Sequence, residues 1–199
     1  MTNRDPPSAD HRVFGVTGWK NAGKTTLTER LVAEFVRRGW RVATIKHAHH
    51  AVDIDEPGTD SWRHRLAGAT EVALVGGHRY AIMREQEEPT LVEVLARLAP
   101  ADLVLIEGFK REPHPKIEVR SAEGPERPAL AAGDPSIVAI AADTAPPEQH
   151  LPWFSRGDIG RIADFIAEHV KAPSLCSGCL CSCCVSAQGS APLQWRVVF

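Results

Sequence analysis

Residues Gly18 to Thr25 read G-W-K-N-A-G-K-T and satisfy in full the pattern G-x-x-x-x-G-K-[ST]. No other feature constrains the chain as strongly, because that loop works only between a strand and the start of a helix. Both are present: Val13, Phe14, Gly15 and Val16 suit a buried strand, and Leu27, Leu31, Phe35 and Val36 mark one helical face before Gly39 stops the helix. Gly18 and Gly23 let the backbone turn tightly and point its N–H groups at an anion. Lys24 brings a mobile charge for the β and γ phosphates. Thr25 offers a hydroxyl to a bridging Mg2+ ion, and the helix N-terminus adds its positive dipole end. The stretch is read as a cradle for a nucleoside triphosphate.

At 199 residues with 43% hydrophobic residues, the chain can bury one sizeable core. The expected organisation is a flexible N-terminus over 1–11, a P-loop domain over 12–171 and a Cys-rich disordered tail over 172–199. A formal net charge of −2 and the lack of a long basic run argue against nucleic acid as the main partner. The chain contains no apolar run of about 18 residues, and its polar N-terminus does not read as a signal peptide. No membrane association and a cytoplasmic location are expected. All five cysteines fall between Cys176 and Cys184, so the globular part needs no disulfide. Their crowded spacing is a weak match to a structural zinc site.

Further along, Trp40 to Ile45 suits a second strand, and the long polar connection after it is of the kind that carries function. Asp60 or Ser61 caps a short helix running to about Ala67. Glu71–Val75 and His78–Met83 flank Gly76-Gly77 and read as a β-hairpin. Thr90 and Glu93 form a capping box for a helix bearing Leu91, Val94, Leu95 and Leu98. Leu103–Ile106 is a wholly apolar run suited to a central parallel strand. Ile117–Val119 and Ile137–Ile140 are further strands, and Ile159, Ile162, Ala163, Ile166 and Val170 belong to a last helix capped by Asp158. Strands alternating with helices predict an α/β fold, three-layered, with a mainly parallel sheet and an added hairpin.

The strand Leu103–Ile106 runs into Glu107-Gly108, a Walker-B-like position at the carboxyl end where ligands of open α/β sheets bind. Glu107 there holds the magnesium ion or polarises water, and Gly108 allows close approach to a terminal phosphate. Asp53 and Asp55 share a face if their loop is extended, and one of them is a candidate for the magnesium shell. His47, His49, His50 and His64 invite a metal site, but hydrogen bonding to phosphate or to a partner is the favoured role. Lys110, Arg111, His114 and Lys116 form a basic segment that either receives an anion or is solvated. The guanine-reading N-K-x-D pattern is absent, and Asp143, ending a strand, is left as the residue to accept hydrogen bonds from a guanine edge.

The ordered set G-W-K-N-A-G-K-T-T, I-K-H-A-H-H, D-I-D-E-P-G-T-D-S-W-R-H-R-L-A-G-A, L-I-E-G-F-K and P-K-I-E-V resembles the MobB family of molybdopterin-guanine dinucleotide biosynthesis adaptor proteins. The likeness spans Arg12 to Val170. It implies a GTP-binding homodimer with weak GTPase activity that assists a molybdopterin guanylyltransferase and other molybdenum-cofactor proteins. Carried onto this chain, Gly18, Trp19, Lys20, Asn21, Ala22, Gly23, Lys24, Thr25 and Thr26 form the nucleotide loop, with Glu107 and Gly108 as the Walker-B element. Lys24 and Glu107 are then the catalytic candidates, and Thr25, Asp55 and Glu107 the Mg2+ candidates. The strands of Glu71–Met83 would extend the sheet between subunits. The Cys-rich end departs from the family pattern. Lys20 stands one residue nearer Lys24 than the signature lysine of related dimeric P-loop ATPases and receives no cross-subunit role. The rival readings are a small-molecule kinase using the same loop and a metal-delivery GTPase.

Overall fold

The computed structural model describes residues 11–48, 54–123, 127–147 and 150–170. Asp53, His49, His50, residues 1–10 and the cysteines lie outside the described residues. Six parallel strands form the main sheet in the order β2-β5-β1-β6-β7-β8: β1 (Val13–Thr17), β2 (Val42–Lys46), β5 (Leu103–Glu107), β6 (Lys116–Arg120), β7 (Ile137–Ala142) and β8 (Trp153–Ser155). A separate antiparallel hairpin pairs β3 (Glu71–Val75) with β4 (Tyr80–Arg84). The helices are α1 (Lys24–Arg37), α2 (Asp60–Leu66), α3 (Leu91–Leu95) and α4 (Ile159–His169).

Period-two alternation sorts the strands between two apolar layers. Phe14, Val16, Leu103, Leu105, Ile117, Val119, Ala139 and Ala141 meet Leu27, Leu31 and Phe35 of α1 and Ile162, Ala163 and Ile166 of α4. On the opposite face Ile45, Val104 and Ile106 pack with Leu91 of α3. β5 is buried along its whole length, as its unbroken apolar sequence requires of a central parallel strand. Fully buried side chains such as Phe14, Leu31 and Phe35 each contribute about 1.5–3 kcal/mol of transfer free energy.

Most predicted elements are present, with local differences. Val36 is 58% exposed, because at 100° per residue it follows Phe35 off the stripe that contains Leu27 and Leu31. The cap of α2 is Thr59, one residue earlier than expected, and its side chain accepts from the Trp62 N–H. β4 starts at Tyr80, so the hairpin turn takes residues up to Arg79, with Gly76 N–H donating to the Arg79 carbonyl. The capping box of Thr90 and Glu93 is formed, but α3 ends at Leu95. The short edge strand β8 was not foreseen.

On the face opposite α1, Lys116 is fully buried at the start of β6. Its ammonium group donates to the Glu112 carbonyl, to Asp134 Oδ2 at 3.2 Å and to Ser136 Oγ. His114 lies beside it against Gly15, where an added Cβ would come within 2.6 Å of His114 Nε2 and 2.7 Å of Lys116 Cγ. Gly15→Ala is therefore expected to cost about 1–3 kcal/mol through overpacking, read as a lower urea midpoint.

Among the described residues neither ring nitrogen of His114 has a hydrogen-bond partner. Burial, reinforced by the Lys116 charge and opposed by Asp134, depresses its pKa from 6.5 to about 4. Between those values the unfolded chain takes up a proton that the folded chain refuses, so stability declines as pH falls from 6.5 toward 4. Urea midpoints measured across that window should fall less steeply in His114→Gln, by up to about one proton's worth of slope; an unchanged slope would contradict the assignment.

Candidate nucleotide site

Parallel strand registers align the carboxyl ends of β1, β5 and β2, pairing Val16 with Glu107 and Lys46 with Glu107. The loop Gly18–Gly23 leaves β1 here and enters α1. Gly18, at φ 146°, could not carry a side chain, since a Cβ would lie 2.5 Å from the Val119 carbonyl oxygen. Gly23, at φ 90°, takes the N-cap position, and Asn21 also has a positive φ of 64°. Lys24 Nζ donates to the Trp19 carbonyl at 2.7 Å, folding the lysine back over its own loop. Burial and the charges of Lys110 and Lys46 lower its pKa, against the opposing pull of Glu107. Thr25 Oγ1 donates to Glu107 Oε1 at 3.0 Å, and Lys46 Nζ stands 3.7 Å from that same oxygen.

The sites expected from the two motifs thus meet in one place. A hydroxyl and a carboxylate side by side are hard oxygen donors of the kind Mg2+ takes, and the positive φ values of Gly18, Asn21 and Gly23 give the loop the tight turns of an anion-binding backbone.

Beyond Glu107 the chain turns sharply. Gly108 has φ 103° and Phe109 φ 45°, a costly conformation for an aromatic residue. Both are held against the end of β2: His47 N–H donates to the Glu107 carbonyl at 2.8 Å, and Phe109 stacks on the His47 ring at 4.4 Å between centroids. His47 Nε2 in turn meets Glu88 Oε1 at 2.6 Å, in the segment joining the hairpin to α3. His47, just past β2, and the turn that follows β5 consequently form one packed unit.

On the other side of β1, a cavity of about 570 Å3 opens between residues 19–22 and the ends of β6 and β7. Trp19, Lys20, Asn21, Ala22 and Asp143 all line it. The Trp19 indole N–H donates to the Pro128 carbonyl at 2.8 Å, and the Lys110 and Arg127 cations lie 5.1 and 5.5 Å from its ring centroid. Asp143 is clasped by Arg156, with Nε at 2.5 Å and Nη2 at 2.7 Å, and accepts from the Ala122 N–H. The Arg156 hydrogen bonds are the main reason its pKa is lowered. Arg156 also donates to the Ala22 carbonyl at 3.3 Å, tying Asp143 to the phosphate loop. Sequence reasoning missed Arg156 because it follows a strand of only three residues. Lys46 was quoted in a motif but given no task, although a lysine ending the strand beside Glu107 was the available signal.

Other candidates lie elsewhere. Asp55 is buried and accepts from Ser61 Oγ at 2.8 Å and Arg65 Nε at 3.3 Å, which places it against α2. It lines a second cavity with Tyr80, Met83 and Arg84 of the hairpin. Lys116 is enclosed in the core, so of the basic segment it is Lys110 that reaches the loop. Among the described residues no group of three or more His, Cys, Asp or Glu side chains could hold a metal ion, and no helix is long and apolar enough to cross a membrane.

A glycine loop between the central strand of a parallel sheet and its first helix, facing a carboxylate on the neighbouring strand, defines the P-loop NTPase fold. Within that class the chain belongs to the MobB family: the family model described as molybdopterin guanine dinucleotide synthesis protein B matches residues 13–143. The molybdopterin-guanine dinucleotide biosynthesis adapter protein of Haemophilus influenzae is 40% identical over 157 residues, covering 77% of this chain and 86% of that protein. Its Escherichia coli counterpart is 36% identical over 164 residues, covering 80% and 93%. The crystal structure of Bacillus subtilis MobB superposes with a TM-score of 0.66 at 27% identity, covering 81% of this chain and 99% of that one. The MobB homologue from Bacillus stearothermophilus gives 0.60 at 32%, covering 80% and 97%.

The packing of His47 on the turn after β5 has a direct consequence. A Cβ on Gly108 would lie 2.8 Å from His47 Cβ and 3.0 Å from its carbonyl oxygen, with an unfavourable φ besides. Gly108→Ala should lower unfolding free energy by about 1–3 kcal/mol in urea titration; wild-type stability would show that His47 and this turn are not packed as described.

Proposed function

We propose that this chain is a nucleotide-dependent adapter in molybdopterin-guanine dinucleotide synthesis, binding GTP with Mg2+ and hydrolysing it slowly. The observation that carries the reading is the Thr25–Glu107 contact at the head of the glycine loop, joined to the adapter role stated in the names of the Haemophilus and Escherichia relatives. Lys24 exchanges the Trp19 carbonyl for the β and γ phosphates, and the N–H groups of Gly18–Thr26 surround them. Thr25 and Glu107 hold the magnesium ion, which supplies charge neutralisation at the phosphate oxygens. The nucleoside end enters the cavity beside Trp19, Lys20, Asn21 and Ala22, with Asp143 at its rim. Turnover is slow because no arginine finger or water-orienting glutamine stands in a recognisable motif.

The terminal phosphate is read by Gly108, whose packing on His47 carries the state of the site toward Glu88 and the hairpin. On one face the hairpin exposes Val75, Tyr80 and Ile82, an apolar surface suited to a second copy of the chain and so to a homodimer. The guanylyltransferase that attaches GMP to molybdopterin is the proposed partner.

Purified protein should bind a non-hydrolysable GTP analogue with Mg2+ more tightly than the ATP analogue, and Lys24→Ala should weaken that binding at least about tenfold. Partner affinity measured with GTP analogue, GDP and no nucleotide should differ among the three states; equal affinities would remove the switch.

A further inference from the structure

Three ammonium groups stand around the head of the glycine loop, where Thr25 and Lys46 both meet the Glu107 carboxylate. Lys24 arises from the loop itself, Lys46 ends β2, and Lys110 follows Glu107 by three residues. Their placement is fixed by contacts: Lys46 Nζ lies 3.7 Å from Glu107 Oε1, and Lys110 Nζ lies 5.1 Å from the ring of Trp19, whose carbonyl holds Lys24. One lysine facing one carboxylate would leave the cradle neutral. Here Lys46 and Lys110 add positive charge beyond that pair, with Arg127 a further cation 5.5 Å from the Trp19 ring.

Strand order decides which end of a nucleotide these charges meet. β5 and β2 flank β1 on one side, while the cavity beside Trp19–Ala22 and the Asp143–Arg156 pair lie on the β6–β7 side. A nucleoside seated in that cavity directs its terminal phosphate toward Glu107, Lys46 and Lys110. An ionised triphosphate with one divalent cation carries about two net negative charges, and a diphosphate with the same cation about one. The positive surplus of this cradle favours the former. Among the described residues Lys46 makes one long contact, at 3.7 Å with its side chain 63% exposed, so little is lost when it turns to a phosphate.

We infer that Lys46 and Lys110 sense the terminal phosphate, and that together they give the cradle its preference for a nucleoside triphosphate over the diphosphate. This inference rests on the nucleotide-binding reading above and adds to it the residues that distinguish the two states.

The test is calorimetric titration of the full chain with a non-hydrolysable GTP analogue and with GDP, each with Mg2+. Wild type, Lys24→Ala, Lys46→Gln, Lys110→Gln and Lys46→Arg are compared after thermal unfolding has shown that each is folded. Each Gln variant should lose about tenfold in triphosphate affinity but under about threefold for GDP, and Lys46→Arg should retain most of the preference. Raising the salt should shrink the wild-type preference. An unchanged triphosphate-to-diphosphate ratio in both Gln variants, or equal loss for both nucleotides, overturns the sensing role while leaving nucleotide binding intact. Wild type that binds neither nucleotide, or Lys24→Ala that binds both as well as wild type, overturns the nucleotide reading and this inference with it.

Discussion

The hydrogen bond from Thr25 to Glu107 joins groups 82 residues apart, and it can form only if α1 starts where β5 ends. Parallel pairing of β1 with β5 sets that level, and a one-residue shift would exchange the side chains packed on α1 with those packed on α3. The same pairing seats Lys46 beside Glu107. Loop, carboxylate and lysine are thus placed by the backbone ladder rather than by contacts of their own, which are weak in solvent and need such support.

A second constraint concerns the segments that leave the sheet. The strained backbone at Gly108 and Phe109 is held by the His47 backbone and ring, so a change at Glu107 is felt directly at the end of β2. The Glu88 contact then reaches the residues before α3. Lys116, Asp134 and Ser136 anchor the start of β6 on the far side of β1.

Much of this was legible in the residues because pattern and chemistry coincided. The glycine loop, the apolar run before Glu107 and the capping box at Thr90 each specify a local structure whatever surrounds them. Pairwise relations across the fold were not legible. Nothing local to Arg156 announces that it clasps Asp143, and the burial of Lys116 depends on acceptors that arrive from residues 112, 134 and 136. Val36 looked like a member of the apolar stripe because hydrophobicity alone does not say where the stripe ends. Asp55, one of two candidates for the magnesium shell, bonds Arg65 and Ser61 of α2, a partnership that spacing along the loop does not reveal.

The order of strands also governs when the cradle can come into being. β1 lies between β5 and β6, and both its neighbours are made about ninety or more residues later, with Val13 opposite Val104 and Gly15 opposite Lys116. A growing chain leaving the ribosome therefore carries an unpaired, apolar first strand until the fifth has emerged, and its other edge stays open until the sixth. The phosphate loop is among the first segments synthesised and among the last to acquire its shape.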